Sequence, residues 1–366
     1  MTESILVTGA FGLVGTATVE KLSIDGRRVT ATDLDTLANR KKADTLTGAQ
    51  VRWADLTDEQ SVATLLSEIR PTVIVHLAAM IPPMCYARPD VARRVNVDAT
   101  RSLVYAATSL RKRPRLVLAS SVAVYGPRNP HLLSTDLTAD TATSPMDIYG
   151  TQKWLAEQIV RDSLLEWVVL RLGGVLTAAP RFDLDLDTLY FEGLLPSDGR
   201  IHTVDVRDVA RAFVAATTAD VVGETLMIGG DPSHRLTQAD VGHATTAAMG
   251  LKSVLPPARR GDPQSEDGWF ATDWMDTERS QEALDFQQIS FTQLMADTRR
   301  LTGRRRPLLR LFAPLARAYF KRKGAYRNAP GTFADPWERV TNRWGQFRTA
   351  DAAAIEGRQR PDESSA

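Results

Sequence analysis

The sequence predicts an α/β protein built on a doubly wound parallel sheet, with a smaller C-terminal lobe, on three observations. Short apolar runs alternate with helical patterns through the first half of the chain. A glycine-spaced turn joins the first run to the first helix. The later runs end in small or hydroxylated residues, at the carboxyl ends of strands where parallel sheets bind their ligands.

Composition bounds what such a fold is for. The 366 residues suit an enlarged α/β unit with a lobe and a tail. An apolar fraction of 43% and a charged fraction of 24% are ordinary for a globular protein, and a formal charge of +1 argues against nucleic acid as the main partner. A single cysteine, Cys85, excludes an internal disulfide, and the five histidines lack metal-ligand spacing, so no metal is expected. Met1-Thr2-Glu3-Ser4 leads straight into a strand, which leaves no room for a signal peptide, and no apolar run approaches the ~18 residues of a membrane span. A cytoplasmic protein is expected.

Ile5-Leu6-Val7 is the first strand, and Thr8 to Gly15 turns it into a helix carrying Val19 and Leu22. Gly9, Phe11, Gly12, Leu13, Val14 and Gly15 form a turn in which backbone N–H groups and a helix N-terminus can meet a pyrophosphate. Arg28 to Thr32 is the second strand and delivers Asp33, eighteen residues after Gly15, where an acid accepts from adenosine ribose hydroxyls and repels a 2′-phosphate. NAD is therefore expected over NADP. The run Arg40-Lys41-Lys42 reads as a solvated helix face. Val51 to Trp53 ends at Asp55 and Leu56, and a helix follows over Asp58 to Ile69.

Thr72 to Ala79 is a buried strand whose small end, Leu77-Ala78-Ala79, admits a flat ligand; His76 within it reads as a core histidine. A helix from about Pro89 to Leu110 contains Asn96, and the strand Arg115 to Ala119 delivers Ser120 and Ser121. Pro127 to Ser144 is a loop. Tyr149 and Lys153 then stand four residues apart on one face of a helix running through Ile159, where a fixed cation favours a phenolate able to exchange protons with an alcohol. Trp167 to Leu170 is a further strand, closing in Arg171-Leu172-Gly173-Gly174-Val175.

Beyond it the alternation loosens. Phe182 to Gly199 reads as an acidic loop, Thr203 to Thr217 as a strand and helix, Thr225 to Ile228 as a strand, and Thr237 to Gly250 and Phe291 to Leu301 as helices. The segment between those two helices, with Pro256-Pro257, Trp269, Phe270 and Trp274, suits a lobe closing over a substrate.

In this order, Thr8-Gly9-Ala10-Phe11-Gly12-Leu13-Val14-Gly15, Asp33, Asp55-Leu56, His76-Leu77-Ala78-Ala79, Asn96-Val97-Asp98-Ala99-Thr100, Ser120 to Gly126 and Tyr149 with Lys153 resemble the extended short-chain dehydrogenase/reductase family, the NAD-dependent epimerase/dehydratase group. The resemblance covers about Ile5 to Leu301. It implies a Rossmann-like sheet binding NAD through Gly9, Phe11, Gly12, Leu13, Val14, Gly15, Asp33, Asp55, Leu56, Leu77, Ala78, Ala79, Asn96, Ser120, Tyr149, Lys153, Leu172 and Gly173. It also implies Tyr149 as acid/base, Lys153 holding the nicotinamide ribose and lowering the tyrosine pKa, and Ser121 bonded to the reacting oxygen. The implied organisation is an NAD-binding domain over 1–175 with 200–230 returning to it, a substrate lobe from 176–199 and 231–302, a basic extension over 303–348 and a disordered tail over 349–366. A homodimer through the helices near Pro89–Leu110 and Tyr149–Ile159 is also implied.

Departures from the family pattern concern the substrate. Gly174 stands where nucleotide-sugar enzymes of the group carry Asn, Ile81 where a Lys is frequent, and Asp205 where a His is common; Arg200 is one place from the expected phosphate-binding Arg. The Arg-Leu-Gly-Gly-Val stretch is closer to relatives acting on sterol-like 3-hydroxy/3-keto compounds. The expectation is hydride transfer between NAD and a secondary alcohol or ketone carbon. A nucleotide-sugar 4-epimerase is the alternative, and a nonenzymatic NAD-binding regulator the second. Dehydration is disfavoured, since Val122 and Ala123 replace the Asp and Glu of dehydratases.

Arg304 to Lys323 holds eight basic residues and no acid, with Leu308, Leu311, Phe312, Leu315 and Tyr319 at helical spacing. The expectation is that this apolar side packs on the enzyme or a second subunit, with peripheral contact to an anionic membrane surface through 304–323 as the alternative. Trp337 and Trp344 suggest a last helix docked through its aromatic side.

Overall fold

The computed structural model describes residues 3–180, 186–252, 254–255, 258–348 and 352. Strands and helices alternate from the start: β1 (Ile5–Thr8), α1 (Leu13–Ile24), β2 (Val29–Asp33), α2 (Leu37–Ala43), β3 (Ala49–Trp53), α3 (Glu59–Ile69) and β4 (Val73–His76). Next come α4 (Met84–Ala87), α5 (Pro89–Arg93), α6 (Ala99–Thr108), β5 (Arg115–Ser121), α7 (Ile148–Arg161) and β6 (Glu166–Leu172). The long helix predicted from Pro89 is thus interrupted: between α5 and α6 lies a π-helical turn, Arg94–Asp98, which turns Asn96 toward β4.

The second half contributes β7 (Gly174–Leu176), α8 (Leu186–Leu194), β8 (Arg200–Asp205), α9 (Val206–Ala216), β9 (Thr225–Ile228), β10 (Arg235–Thr237), α10 (Gln238–Met249), α11 (Glu278–Leu284), α12 (Phe291–Thr302), α13 (Arg305–Lys323) and α14 (Pro336–Trp344). Seven parallel strands form one sheet in the order β3-β2-β1-β4-β5-β6-β9. Strand alternation fills both faces. Ile5 and Val7 of β1 join the layer under α1, α9 and α11, while Leu6 joins the layer under α3, α6 and α7. β8 lies in a second, three-stranded sheet, parallel to β7 and antiparallel to β10.

Two expectations are corrected. Part of the predicted loop over Phe182 to Gly199 is α8: Tyr190, Phe191 and Leu194 recur at helical spacing, a pattern diluted by nearby aspartates, and Phe191 and Leu194 are buried. On α13 the apolar residues expected to pack on the enzyme or a second subunit, Leu308, Leu311, Phe312, Leu315 and Tyr319, are not covered by this chain and face solvent. The helix leans on the body through another edge, with Leu309, Ala313, Ala316 and Phe320 half-buried. The expected tail over 349–366 lies outside the described residues apart from Ala352, and so do Pro256 and Pro257.

After α13 the chain returns over the carboxyl end of the sheet. Ala325, Trp337 and Val340 are buried with Cys85, Tyr86, Met146 and Ile148, and the Phe347 carbonyl accepts the Ile148 N–H at 2.7 Å. The predicted aromatic docking of the last helix therefore falls at the start of α7. Trp337 stacks on Phe347 at 4.7 Å between ring centroids.

Candidate active site

The glycine turn is packed backbone to backbone. A Cβ on Gly9 would lie 2.7 Å from the Ala78 backbone, and one on Gly15 would lie 2.1 Å from the Gly9 carbonyl. Gly12 differs: a Cβ there would meet only the Gly9 carbonyl, at 3.3 Å, and no side chain caps α1. An open cradle at an uncapped helix N-terminus suits an anionic pyrophosphate. Phe11 is buried under the turn against Trp53, and Leu13 is exposed beside it.

Asp33 ends β2 with one carboxylate oxygen accepting the Phe11 N–H at 3.1 Å and the other the Leu34 N–H at 2.8 Å. Lys42 is not simply a solvated residue, because its ammonium donates to the Phe11 carbonyl at 2.6 Å. Asp55 holds the Thr57 N–H and hydroxyl at the end of β3, and Leu56 is buried beside it. Leu77, Ala78 and Ala79 are half-exposed at the end of β4, and Leu172 and Gly173 are half-exposed at the end of β6.

Two expected cofactor residues have their side chains committed within the protein. The Ser120 hydroxyl donates to Glu157 at 2.5 Å, so only its backbone remains for a ligand. Asn96 accepts the Met80 N–H and donates to the Met80 carbonyl and to Gln152, so its amide shapes the loop after β4.

Asp147 starts α7, accepting from Tyr149 and Gly150 N–H groups as an N-cap. A Cβ on Gly150 would sit 2.4 Å from the Ala123 carbonyl oxygen, so the helix reaches the turn after β5 only because this residue is glycine. That approach places the Tyr149 phenol beside the Ser121 side chain, which acts to lower its pKa. The Lys153 ammonium, 6.0 Å from the Tyr149 ring centroid, donates to the Ala119 carbonyl at 2.9 Å. Ser121, Tyr149 and Lys153 thus converge at the carboxyl end of β5.

Electrostatics here run against one expectation. Burial, with Cys85 and Asp147 nearby, pushes the Tyr149 phenol well above its ordinary range, against the lowering pull of Ser121. Burial also lowers Lys153 to about 8, against the pull of Glu157. Tyr149 in this state is a protonated acid. His76 is the core residue expected, sharing hydrogen bonds with Thr8 and Thr100, and burial lowers it to about 3.

The sequence reading missed the groups that hold this site. Tyr86 donates to Asp147 at 2.7 Å, and Glu157 takes a bidentate pair from buried Arg171, whose guanidinium also reaches the Tyr125 hydroxyl. Asp147 two residues before Tyr149 was a readable N-cap signal, and Glu157 four residues beyond Lys153 was readable as its helix neighbour. Tyr86 and Arg171 gave no local signal.

Met80, Tyr149, Tyr190, Phe270, Trp344 and Phe347, all partly buried, pack against one apolar cluster that includes Tyr86, Met146 and Ile148. Arg200 donates to the carbonyls of Pro130 and Leu133 and stacks 4.6 Å over Trp274. Asp205 caps α9 and pairs with Arg207. A Cβ at Gly174 would lie 2.7 Å from the tip of the Ile201 side chain, which would have to turn aside to admit it. Among the described residues, no cluster of His, Cys, Asp or Glu is arranged to hold a metal.

The sequence profile of the NAD dependent epimerase/dehydratase family matches residues 5–187, half of the chain, and the protein belongs to that family. Among characterised relatives, D-erythronate dehydrogenase of Cupriavidus necator is 32% identical over 167 residues, covering 43% of this chain and 50% of that one. UDP-glucose 4-epimerase of Mycoplasma genitalium is 28% identical over 183 residues, covering 48% and 53%. The chain thus spans about half the length of these two relatives. The crystal structure of UDP-glucose 4-epimerase from Thermotoga maritima, with UDP-glucose, superposes with a TM-score of 0.66 at 21% identity, covering 81% of this chain and 98% of that one, a likeness of fold.

Proposed function

We propose that the protein exchanges a hydride between NAD and a secondary alcohol or ketone carbon of a largely apolar, sterol-like 3-hydroxy/3-keto substrate. The observation that carries the chemistry is the convergence of Ser121, Tyr149 and Lys153 at the carboxyl end of β5, in the same sheet whose first strand leads into the open Gly12 cradle. NAD, when bound, supplies the two-electron acceptor or donor of the hydride. In ketone reduction, Ser121 holds the carbonyl oxygen while Tyr149 gives its proton to it; in oxidation the same oxygen returns the proton to Tyr149. In this reading Lys153 meets the ribose hydroxyls of the bound cofactor and offsets charge on the phenolate.

The aromatic and methionine side chains that pack against the same apolar cluster as Tyr149, and the commitment of Arg200, support an apolar substrate. The relative from Mycoplasma supports the alternative, 4-epimerisation of a nucleotide sugar, in which hydride leaves and returns to the opposite face. A nonenzymatic regulator would not require the Ser121–Tyr149 contact. The test is a screen of sterols, 3-hydroxyacyl compounds, UDP-sugars and dTDP-sugars, reading NADH and epimeric products. NADH accumulating with a hydroxysteroid supports the proposal, whereas an epimer formed from a UDP-hexose without net NADH replaces it. A homodimer through α6, where Tyr105 is exposed, and α7 belongs to the same proposal and is checked by native mass.

A further inference from the structure

We propose that α13 seats the protein on the surface of an anionic phospholipid bilayer. Between Arg304 and Lys323 stand eight basic residues and no acid. Leu308, Leu311, Phe312, Leu315 and Tyr319 recur every three or four residues and so share one face, and that face is turned to solvent, with Leu311 73% and Leu315 69% exposed. The neighbouring edge is engaged: Leu309, Ala313, Ala316 and Phe320 are half-buried, and Arg306 donates to the Ala247 carbonyl at the end of α10. The body therefore anchors the helix while leaving a second apolar stripe uncovered.

Charge decides what covers it. A second copy would bring eight cations against eight, and nucleic acid would satisfy the charge but leave five large apolar side chains in water. An anionic bilayer surface satisfies both, taking the stripe to the depth of the acyl chains while basic heads reach the phosphates. Arg304 and Arg305 at one end of the helix and Lys321, Arg322 and Lys323 at the other bracket the stripe. No described helix is long and apolar enough to cross a membrane, so α13 lies along the surface. The chain leaves α13 through Gly324 and Ala325 to Tyr326, whose hydroxyl donates to the Leu194 carbonyl of α8, in the apolar cluster against which Tyr149 packs. Docking would thus set that cluster's end of the molecule toward the lipid.

The test is sedimentation of the full chain with vesicles of phosphatidylcholine alone and of a phosphatidylcholine–phosphatidylserine mixture, at low and high salt. The expected result is binding to the mixed vesicles only, weakened by salt. It should fall ~10-fold or more in Leu311→Glu/Leu315→Glu and fall also in Arg310→Glu/Lys321→Glu, with NAD binding kept in both. Absence of binding, equal binding to neutral vesicles, or binding retained in both variants overturns the proposal. A dimer in lipid-free buffer that dissociates in Leu311→Glu/Leu315→Glu overturns it in favour of a second copy. Sedimentation reads no turnover, so its failure leaves the hydride reading standing.

Discussion

Lys153 donates to the main-chain carbonyl of Ala119 from a fully enclosed position, and its ammonium is held there at the cost of its hydration. Its value of about 8 lies below the 10.5 of an exposed lysine, so across that window the unfolded chain binds the extra proton and this group makes stability rise with pH. Lys153→Met removes the contribution. The difference in unfolding free energy between wild type and variant should shift in favour of wild type by roughly 3 kcal/mol from below pH 8 to above pH 10, at ~1.4 kcal/mol per pKa unit. A difference flat with pH would show that the ammonium is not desolvated.

Glu157 and Arg171 form a buried pair under the site. Glu157→Gln leaves the guanidinium without its counter-charge and should cost about 3–5 kcal/mol in urea unfolding, whereas Glu157→Leu/Arg171→Met should recover much of that loss. A cost under ~1 kcal/mol would mean that water or Tyr125 already satisfies the arginine.

Much of the fold was legible because its signals are local. Ile5-Leu6-Val7 followed by Gly9, Gly12 and Gly15 needs no tertiary context, nor does Tyr149 four residues from Lys153. What escaped depends on distant partners. Arg94–Asp98 winds as a π turn where the Asn96 amide meets Met80, and the Tyr86–Asp147 contact spans sixty-one residues. On α13 two apolar stripes share one helix, Leu309 to Phe320 and Leu308 to Tyr319, and periodicity alone does not say which one the body covers. The commitment of Ser120 to Glu157 was equally hidden, since a strand-end serine reads the same whether it faces a ligand or a buried carboxylate.

Cofactor choice rests on Asp33, which sits beside the glycine turn with Lys42 close by. Asp33→Ala should lower the ratio of NAD to NADP affinity by ~10-fold or more, through loss of the ribose acceptor and of repulsion toward a 2′-phosphate. Binding titrations with both cofactors measure it, and an unchanged ratio would remove Asp33 from that role.

Arg200 is engaged by Pro130, Leu133 and Trp274, and Ile201 occupies the space a side chain at Gly174 would take. UDP should therefore leave the melting temperature unchanged at concentrations where NAD raises it, since only a ligand that binds the native state shifts unfolding. A UDP shift as large as that of NAD would return the nucleotide-sugar reading to first place.

In the proposed reaction Tyr149 exchanges the proton while its neighbours hold cofactor and substrate. Once the screen supplies a substrate, Tyr149→Phe, which removes the phenol oxygen beside Ser121, is the decisive variant. NAD affinity should stay within about twofold of wild type and turnover should fall ~10² or more. Full turnover in the variant would contradict that role for Tyr149.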